Sequence, residues 1–393
     1  MVIALDKKHG IMSSMLDRIL RKPFSITNSY FLFGPRGTGK TTWLTQFYKN
    51  QAVYINLLKY DQYQKLLLHP NTLKDFITAD KRIVIIDEIQ KIPALLNEVH
   101  HLITTTEIKF ILTGSSARSL RKKGVNLLAG RAFTYFLYPL TVIELKDNFN
   151  LQRALKLGQL PEVYFNKDSL EYLRSYIYSY LREEVIQEGL SRNLLAFNKF
   201  LEIASFSQGA VLNYTEIARE VGLNRKTVEG YFGILQDMLL AYYLPPFTKR
   251  AKRRLILKPK FYFFDVGIYR ILRPSGFMDK PEEIEGIALE SLVGQELRAI
   301  NDYLQLGYNL YYFRTANGQE IDFVLYGKKG LLAIEVKRKK NISAKDLKNM
   351  KLFMQDYPEA KGLILYGGEH KLLIDNIEIW PLVFALKNLK EIL

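Results

Sequence analysis

Three short stretches of this chain hold residue types suited to chemistry on phosphates. GPRGTGKTT, Gly34 to Thr42, fits G-x-x-x-x-G-K-[ST] between an apolar strand and the start of a helix. Gly34, Gly37 and Gly39 let the backbone curl so that its N–H groups face a polyphosphate; Pro35, Arg36, Thr38 and Thr42 complete the loop and the first turn. The helix N-terminus adds positive potential. Lys40 is expected on the β- and γ-phosphates of ATP, and the Thr41 hydroxyl on Mg²⁺. The second stretch, IVIIDEIQ, ends four apolar residues at Asp87 and Glu88. Asp87 is expected to bind Mg²⁺ through water and Glu88 to activate the attacking water; the plainer alternative is that both cap the next helix. In the third, QEIDFVLYGKKGLLAIEVKRKK, Asp322, Glu335 and Lys337 interrupt strands otherwise built for a core. Glu335 and Lys337 are two residues apart, so they share one face of a strand.

Two smaller signals accompany the first two stretches. FILTGSSA ends a buried strand at Ser115 and Ser116, either of which could orient the attacking water or touch the γ-phosphate, or cap a helix. Arg131, in LLAGRAF, is a candidate arginine finger, in cis or from a neighbouring subunit; Arg118 is a second, and for both the alternative is a surface or packing role.

The elements that must position these residues are legible in outline. Near-continuously apolar strands (SYFLFG, AVYINL, KRIVIIDEI, IKFILTGSS) alternate with helices over about 1–150, the pattern of a parallel sheet covered on both faces. Residues 151–265 turn helical. NYTEIAREVGLNRKTVEGYFGIL reads as a helix-turn-helix: Thr215 caps a short helix, Gly222 makes the turn, and Asn224 caps a second helix that exposes Arg225, Lys226 and Thr227. The following PPFTKRAKRRLILKPKFYFF reads as a hairpin tipped by Lys249, Arg250, Lys252, Arg253 and Arg254, a wing for backbone phosphates. The alternative is packing with a solvated charge run. Residues 266–393 give helix, three strands, helix, strands.

Composition narrows the chemistry. The chain has 393 residues, no cysteine and five histidines, which excludes disulfides, thiol nucleophiles and cysteine-ligated zinc, and leaves a hard cation on oxygen as the expected metal. Its formal charge of +16 points to a polyanionic partner, DNA. Residues 1–160 hold 23 Lys+Arg against 11 Asp+Glu, and the remainder 33 against 29, so the excess is mainly N-terminal. No apolar run reaches the ~18 residues of a membrane span, and the start lacks a signal peptide's apolar core, so a soluble cytoplasmic protein with no membrane role is expected.

GPRGTGKTT, IVIIDEIQ, LTGSSAR, LAGR and YPLTVIEL, with YFFDVGIYRIL and EIDFVL…IEVK downstream, resemble the AAA-type P-loop ATPases of bacteria and archaea that carry a C-terminal domain of unassigned role. The resemblance implies an AAA-like core and a homo-oligomer. The C-terminal stretch resembles the PD-(D/E)XK nuclease superfamily, with Ile321 where a proline is common. By that match Asp322 and Glu335 would ligate Mg²⁺, Lys337 would orient water, and Glu290, on the preceding helix, would assist. The expectation is an α/β protein: an AAA-like P-loop domain, a winged-helix middle and a nuclease-like C-terminal domain. Its ATPase would be coupled to DNA binding, remodelling or cleavage. The alternative is a signalling or scaffold ATPase whose nucleotide state switches assembly with a protein partner, the C-terminal domain being structural.

Overall fold

The computed structural model describes residues 17–20, 28–48, 50–78, 80–116, 128–181, 193–277 and 279–393. Arg118 lies outside them. The chain divides into two compact units, residues 1–140 with 237–239, and residues 141–236 with 240–393.

The first unit is built on a five-stranded parallel sheet. Its strands are β1 (Ser29–Phe33), β2 (Ala52–Asn56), β3 (Ile83–Asp87), β4 (Lys109–Gly114) and β5 (Ala132–Phe136), in the order β2-β3-β4-β1-β5. Because both faces are covered, β1, β3 and β4 can be apolar along nearly their whole length. Phe31, Phe33, Val84, Ile86, Phe110 and Leu112 form one core with Leu95, Leu96 and Val99 of the helix Leu95–Thr105. The parallel register pairs Phe33 with Gly114 and Asn56 with Asp87, so β1 to β4 all end at one edge. That edge is where ligands bind in open α/β sheets.

The second unit opens on helices. Tyr214–Val221 and Arg225–Asp237 are joined through Gly222, whose positive φ (79°) suits a residue without a side chain. Asn224 caps the second helix, accepting the Thr227 N–H at 2.8 Å. Thr215 does not cap the first: that helix starts a residue earlier, with Asn213 at the cap position. A two-stranded antiparallel ribbon follows, β6 (Ala241–Leu244) with β7 (Lys260–Phe263).

Next comes the helix Pro281–Tyr303, opened by Pro281 with Glu282 and Glu283 in its first turn, a start favoured by proline's fixed φ and by acids at the positive end of the dipole. It precedes a mixed sheet of β8 (Asn309–Arg314), β9 (Glu320–Gly327), β10 (Gly330–Lys337), β11 (Ala360–Tyr366), β12 (Leu372–Ile374) and β13 (Ile377–Pro381), ordered β12-β13-β11-β10-β9-β8. β9 runs antiparallel to both of its neighbours, β8 and β10, and β11 returns parallel to β10 after the helix Ala344–Asp356. That helix packs Leu347, Met350 and Phe353 against Phe313, Val324 and Ile364. The expected order of helix, three strands, helix, strand is the observed one.

Among the described residues no helix is long and apolar enough to cross a membrane.

Candidate functional site

The loop between β1 and the helix Lys40–Tyr48 bends at Gly37 and Gly39, both at positive φ (83° and 91°). Gly34 is equally constrained, because a Cβ there would lie 2.4 Å from the Leu137 carbonyl oxygen. Thr38 ties the loop to itself, donating to the Pro35 carbonyl at 2.9 Å. Lys40 is buried and donates to the carbonyls of Gly34 (2.7 Å) and Pro35 (3.2 Å), which aims its ammonium along the inside of the loop.

Asp87 ends β3 beside this loop. The Thr41 hydroxyl donates to its Oδ2 at 3.0 Å, Tyr54 of β2 donates to the same oxygen, and Thr113 of β4 donates to Oδ1. Three hydroxyls from three elements thus fix one buried carboxylate. Burial and then the Asp87 charge push the Tyr54 phenol well above its usual range, so it stays a donor. Thr41 and Asp87 form an oxygen pair of the kind that holds a hard divalent cation, together with waters and phosphates.

Glu88 follows with φ 63° and ψ 45°, a left-handed conformation unusual for a side chain of its size. Gln90 donates to Glu88 Oε2 and also to Ser115 Oγ at 3.1 Å, and Ser115 reaches Glu88 Oε2 at 3.4 Å. Gly114 leaves room for this amide: a Cβ there would stand 2.5 Å from Gln90 Oε1. Ser116 is buried at the same strand end. Glu88 and Ser115 are therefore brought together, and Gln90, Thr113 and Tyr54 join them although the sequence reading assigned them nothing.

Arg131 is not brought to this edge. It precedes β5, whose first residue, Ala132, pairs with Ser29 at the start of β1, and it contacts His100. A five-residue strand spans about 17 Å, so Arg131 sits at the opposite end of the sheet from its own Lys40 and Glu88.

The residues expected to face DNA in the second unit lie on its surface. Arg225 and Lys226 are exposed at the start of their helix, with Arg225 paired to Glu229 at 2.8 Å. Lys249, Arg250, Lys252, Arg253 and Arg254 are exposed as well. Their loop does not stand free as a wing. Both its arms pair with β8, through Phe247 N–H to Tyr312 and Ile256 N–H to Arg314. Arg253 is held by both oxygens of Asp356 (2.5 and 3.1 Å), and Lys249 lies 4.4 Å from the Tyr326 ring centre.

The C-terminal acids lie on strands as expected. Asp322 Oδ2 accepts the Val336 N–H at 2.8 Å, which brings it to the Glu335–Lys337 end of β10. They do not gather as a metal site: among the described residues no group of three or more His, Cys, Asp or Glu is arranged to hold a metal. Ammonium groups occupy the carboxylates instead. Lys337 meets Glu335 at 2.5 Å, and Lys260, which heads β7, meets Glu290 at 3.0 Å and Glu320 at 2.5 Å. Tyr262 donates to Glu290 at 2.5 Å. Burial, then the Glu290 charge, pushes Asp322 far above the ordinary carboxyl range. Burial also raises Glu335 against the pull of Lys337. A Mg²⁺ on Asp322, Glu335 and Glu290 does not fit this arrangement.

Family comparisons match three stretches of the chain. Residues 27–146 match an AAA domain; residues 148–278 and 285–384 match two domains of unknown function (DUF8612 and DUF4143). An uncharacterized protein of Methanocaldococcus jannaschii is 32% identical over 182 residues, 42% of this chain and 37% of that protein, so the match spans little more than a third of the relative's length. Among solved structures, the ADP form of the Aeropyrum pernix ORC2 protein covers 68% of this chain and 89% of its own at 12% identity (TM-score 0.30). The A. pernix ORC1 protein in complex with DNA covers 64% and 87% at 11% identity (0.24), and domain III of the Thermotoga maritima replication initiation protein DnaA 43% and 80% at 20% identity (0.24). Likenesses this loose assign no residue and no activity. The domain match and the site geometry together make the first unit an AAA-type P-loop domain, the fold of nucleotide-binding ATPases.

Proposed function

We propose that the chain is a Mg²⁺-dependent ATPase whose nucleotide cycle is coupled to binding and remodelling DNA. The observation that carries the ATPase half is the convergence at one sheet edge of Lys40 and Thr41 from the loop with Asp87 and Glu88 from β3. Bound Mg²⁺ would bridge the phosphates and neutralise their charge. Thr41 and Asp87 would hold it, Lys40 would contact the β- and γ-phosphates, and Glu88 would accept a proton from the attacking water. Gln90, shared between Glu88 and Ser115, orients that base. Arg131, remote from its own site, would serve a neighbouring copy in a homo-oligomer.

The DNA half rests on the +16 charge and on the exposed Arg225, Lys226, Lys249, Arg250, Lys252 and Arg254. A cytoplasmic setting goes with this reading. Cleavage is not part of the proposal, because Lys260 and Lys337 already occupy Glu290 and Glu335. The test is the ATP turnover rate with and without single-stranded and duplex DNA, read beside binding at several salt concentrations. Salt-dependent binding with DNA-stimulated turnover supports the proposal. Turnover indifferent to DNA, with no salt-dependent binding, would favour a nucleotide-switched scaffold for a protein partner.

A further inference from the structure

The two edges of the mixed sheet in the second unit differ. Along β8 the chain closes its own edge. Tyr312 donates to the Pro245 carbonyl at 3.0 Å and accepts the Phe247 N–H at 2.7 Å, and Arg314 accepts the Ile256 N–H at 2.9 Å. Along β12, among the described residues, no backbone hydrogen bond reaches the outer side. β12 joins β13 through Asp375 and Asn376, both at positive φ (49° and 63°), the two-residue hairpin loop whose twist matches its strands. Such a loop makes Ile374 and Ile377 a hydrogen-bonded pair, and alternation then turns the N–H and C=O of Leu373 outward. Leu373 is 70% exposed and Leu372 41%. The Lys371 ammonium lies over the rings of Trp380 (3.5 Å) and Phe384 (4.3 Å), and the exposed Asp375 meets Lys351 at 2.5 Å.

We infer that β12 is the docking edge for a second copy of this chain: two β12 strands pair antiparallel about a two-fold axis at Leu373 and join two six-stranded sheets into one. The sequence around Leu373 is complementary to itself in that register. On one face Lys371 stands opposite the second copy's Asp375, Leu373 opposite its Leu373, and Asp375 opposite its Lys371. On the other face Leu372 stands opposite its Ile374, and Ile374 opposite its Leu372. Every cross-strand pair is thus apolar or oppositely charged, as a two-fold contact between identical strands requires. Sliding the strands by one hydrogen-bonding step either way sets Lys371 or Asp375 against Leu373 and loses both charge pairs. A lysine on an edge strand commonly discourages pairing; here the two-fold register supplies it with an acid. β12 has three residues, so the contact is small and the dimer weak and dependent on concentration. This inference concerns the second unit alone and does not depend on the ATPase reading.

The experiment is sedimentation velocity of the full chain without nucleotide, over the micromolar range in which small interfaces form. Wild type should pass from monomer to dimer as concentration rises. Lys371→Asp and Asp375→Lys should each weaken the dimer about ten-fold or more, because like charges then face each other twice across the axis. An equal mixture of the two variants should dimerise as wild type does, since both contacts are complementary again. Arg131→Ala, which would disturb assembly through the ATPase unit, should leave this dimer unchanged. The chain has no cysteine, so Leu373→Cys gives a second reading without a charge change. Hydrogen-bonded partners across antiparallel strands stand about 5.5 Å apart between Cα atoms, within disulfide reach, so mild oxidation should link two chains through that cysteine. Glu359→Cys, on an exposed turn, should stay unlinked. Should Asp375→Lys fail to fold, the cysteine pair decides. A wild type that stays monomeric, a dimer indifferent to both charge changes, or Leu373→Cys linking no faster than Glu359→Cys would each overturn the inference.

Discussion

Glu296 offers a quantitative check on the second unit. Its side chain is fully buried on the helix Pro281–Tyr303. It accepts the Val142 N–H with both oxygens (3.0 and 3.1 Å) and the Gln159 amide at 3.1 Å. Burial pushes its pKa from 4.5 up to about 8, because these bonds offset only part of the lost solvation. The folded protein then holds a proton that the unfolded chain has already released, so stability falls as pH rises and the loss is complete above the folded pKa. Over that window the slope is about 1.4 kcal/mol per pH unit. Between pH 6 and pH 8 the loss comes to about 2 kcal/mol, since the slope flattens as the folded-state pKa is reached. Glu296→Gln keeps the shape and the acceptor but cannot ionise, so it should remove this loss. Asp265, pushed by burial to about 6, adds the same small drift to both proteins and cancels in the difference. The assay is urea denaturation followed by Trp380 fluorescence, with Trp43→Phe in both proteins so that only the second unit reports. Wild type and Glu296→Gln losing stability in parallel between pH 6 and 8 would refute the reasoning.

Two further outcomes follow from the sites. Gly114→Ala places a methyl group where Gln90 Oε1 sits, so Gln90 must swing away from Glu88 and Ser115. Turnover should drop about ten-fold, a barrier change near 1.4 kcal/mol, with nucleotide affinity little changed, as steady-state kinetics beside a binding titration would show. In fluorescence anisotropy with duplex DNA, replacing Lys249, Arg250, Lys252 or Arg254 by Ser should each lower the log–log salt slope by up to about 0.9. Arg253→Ser should lower it less, because Asp356 already holds that guanidinium.

What could be read in the sequence was what is contiguous. The phosphate loop and Asp87-Glu88 are short runs whose neighbours in sequence are their neighbours in space. Tyr54 and Thr113 escaped because they meet Asp87 only through the order β2-β3-β4-β1-β5, set by crossovers that local pattern does not reveal; Gln90, two residues past Glu88 in the same run, could have been found from its spacing. Arg131 could have been placed better. A residue just before a parallel strand must lie at the edge opposite the strand ends, which argues against a role in its own site. Lys260 was passed over as the tail of the basic run ending KPK, yet KFYF alternates and sets Lys260 and Tyr262 on one face. The Asp322, Glu335 and Lys337 pattern was read correctly as strands, but a pattern of acids does not say whether a metal or an ammonium balances them.

The central claim is that Glu88 is the base of an ATPase whose phosphates are held by Lys40. The most direct measurement compares nucleotide binding and single-turnover hydrolysis in wild type, Lys40→Ala and Glu88→Gln. Lys40→Ala should lose nucleotide affinity. Glu88→Gln should bind ATP within a few-fold of wild type and hydrolyse it at least about 100-fold more slowly, the usual scale for removing a general base. Hydrolysis by Glu88→Gln at the wild-type rate would contradict the account.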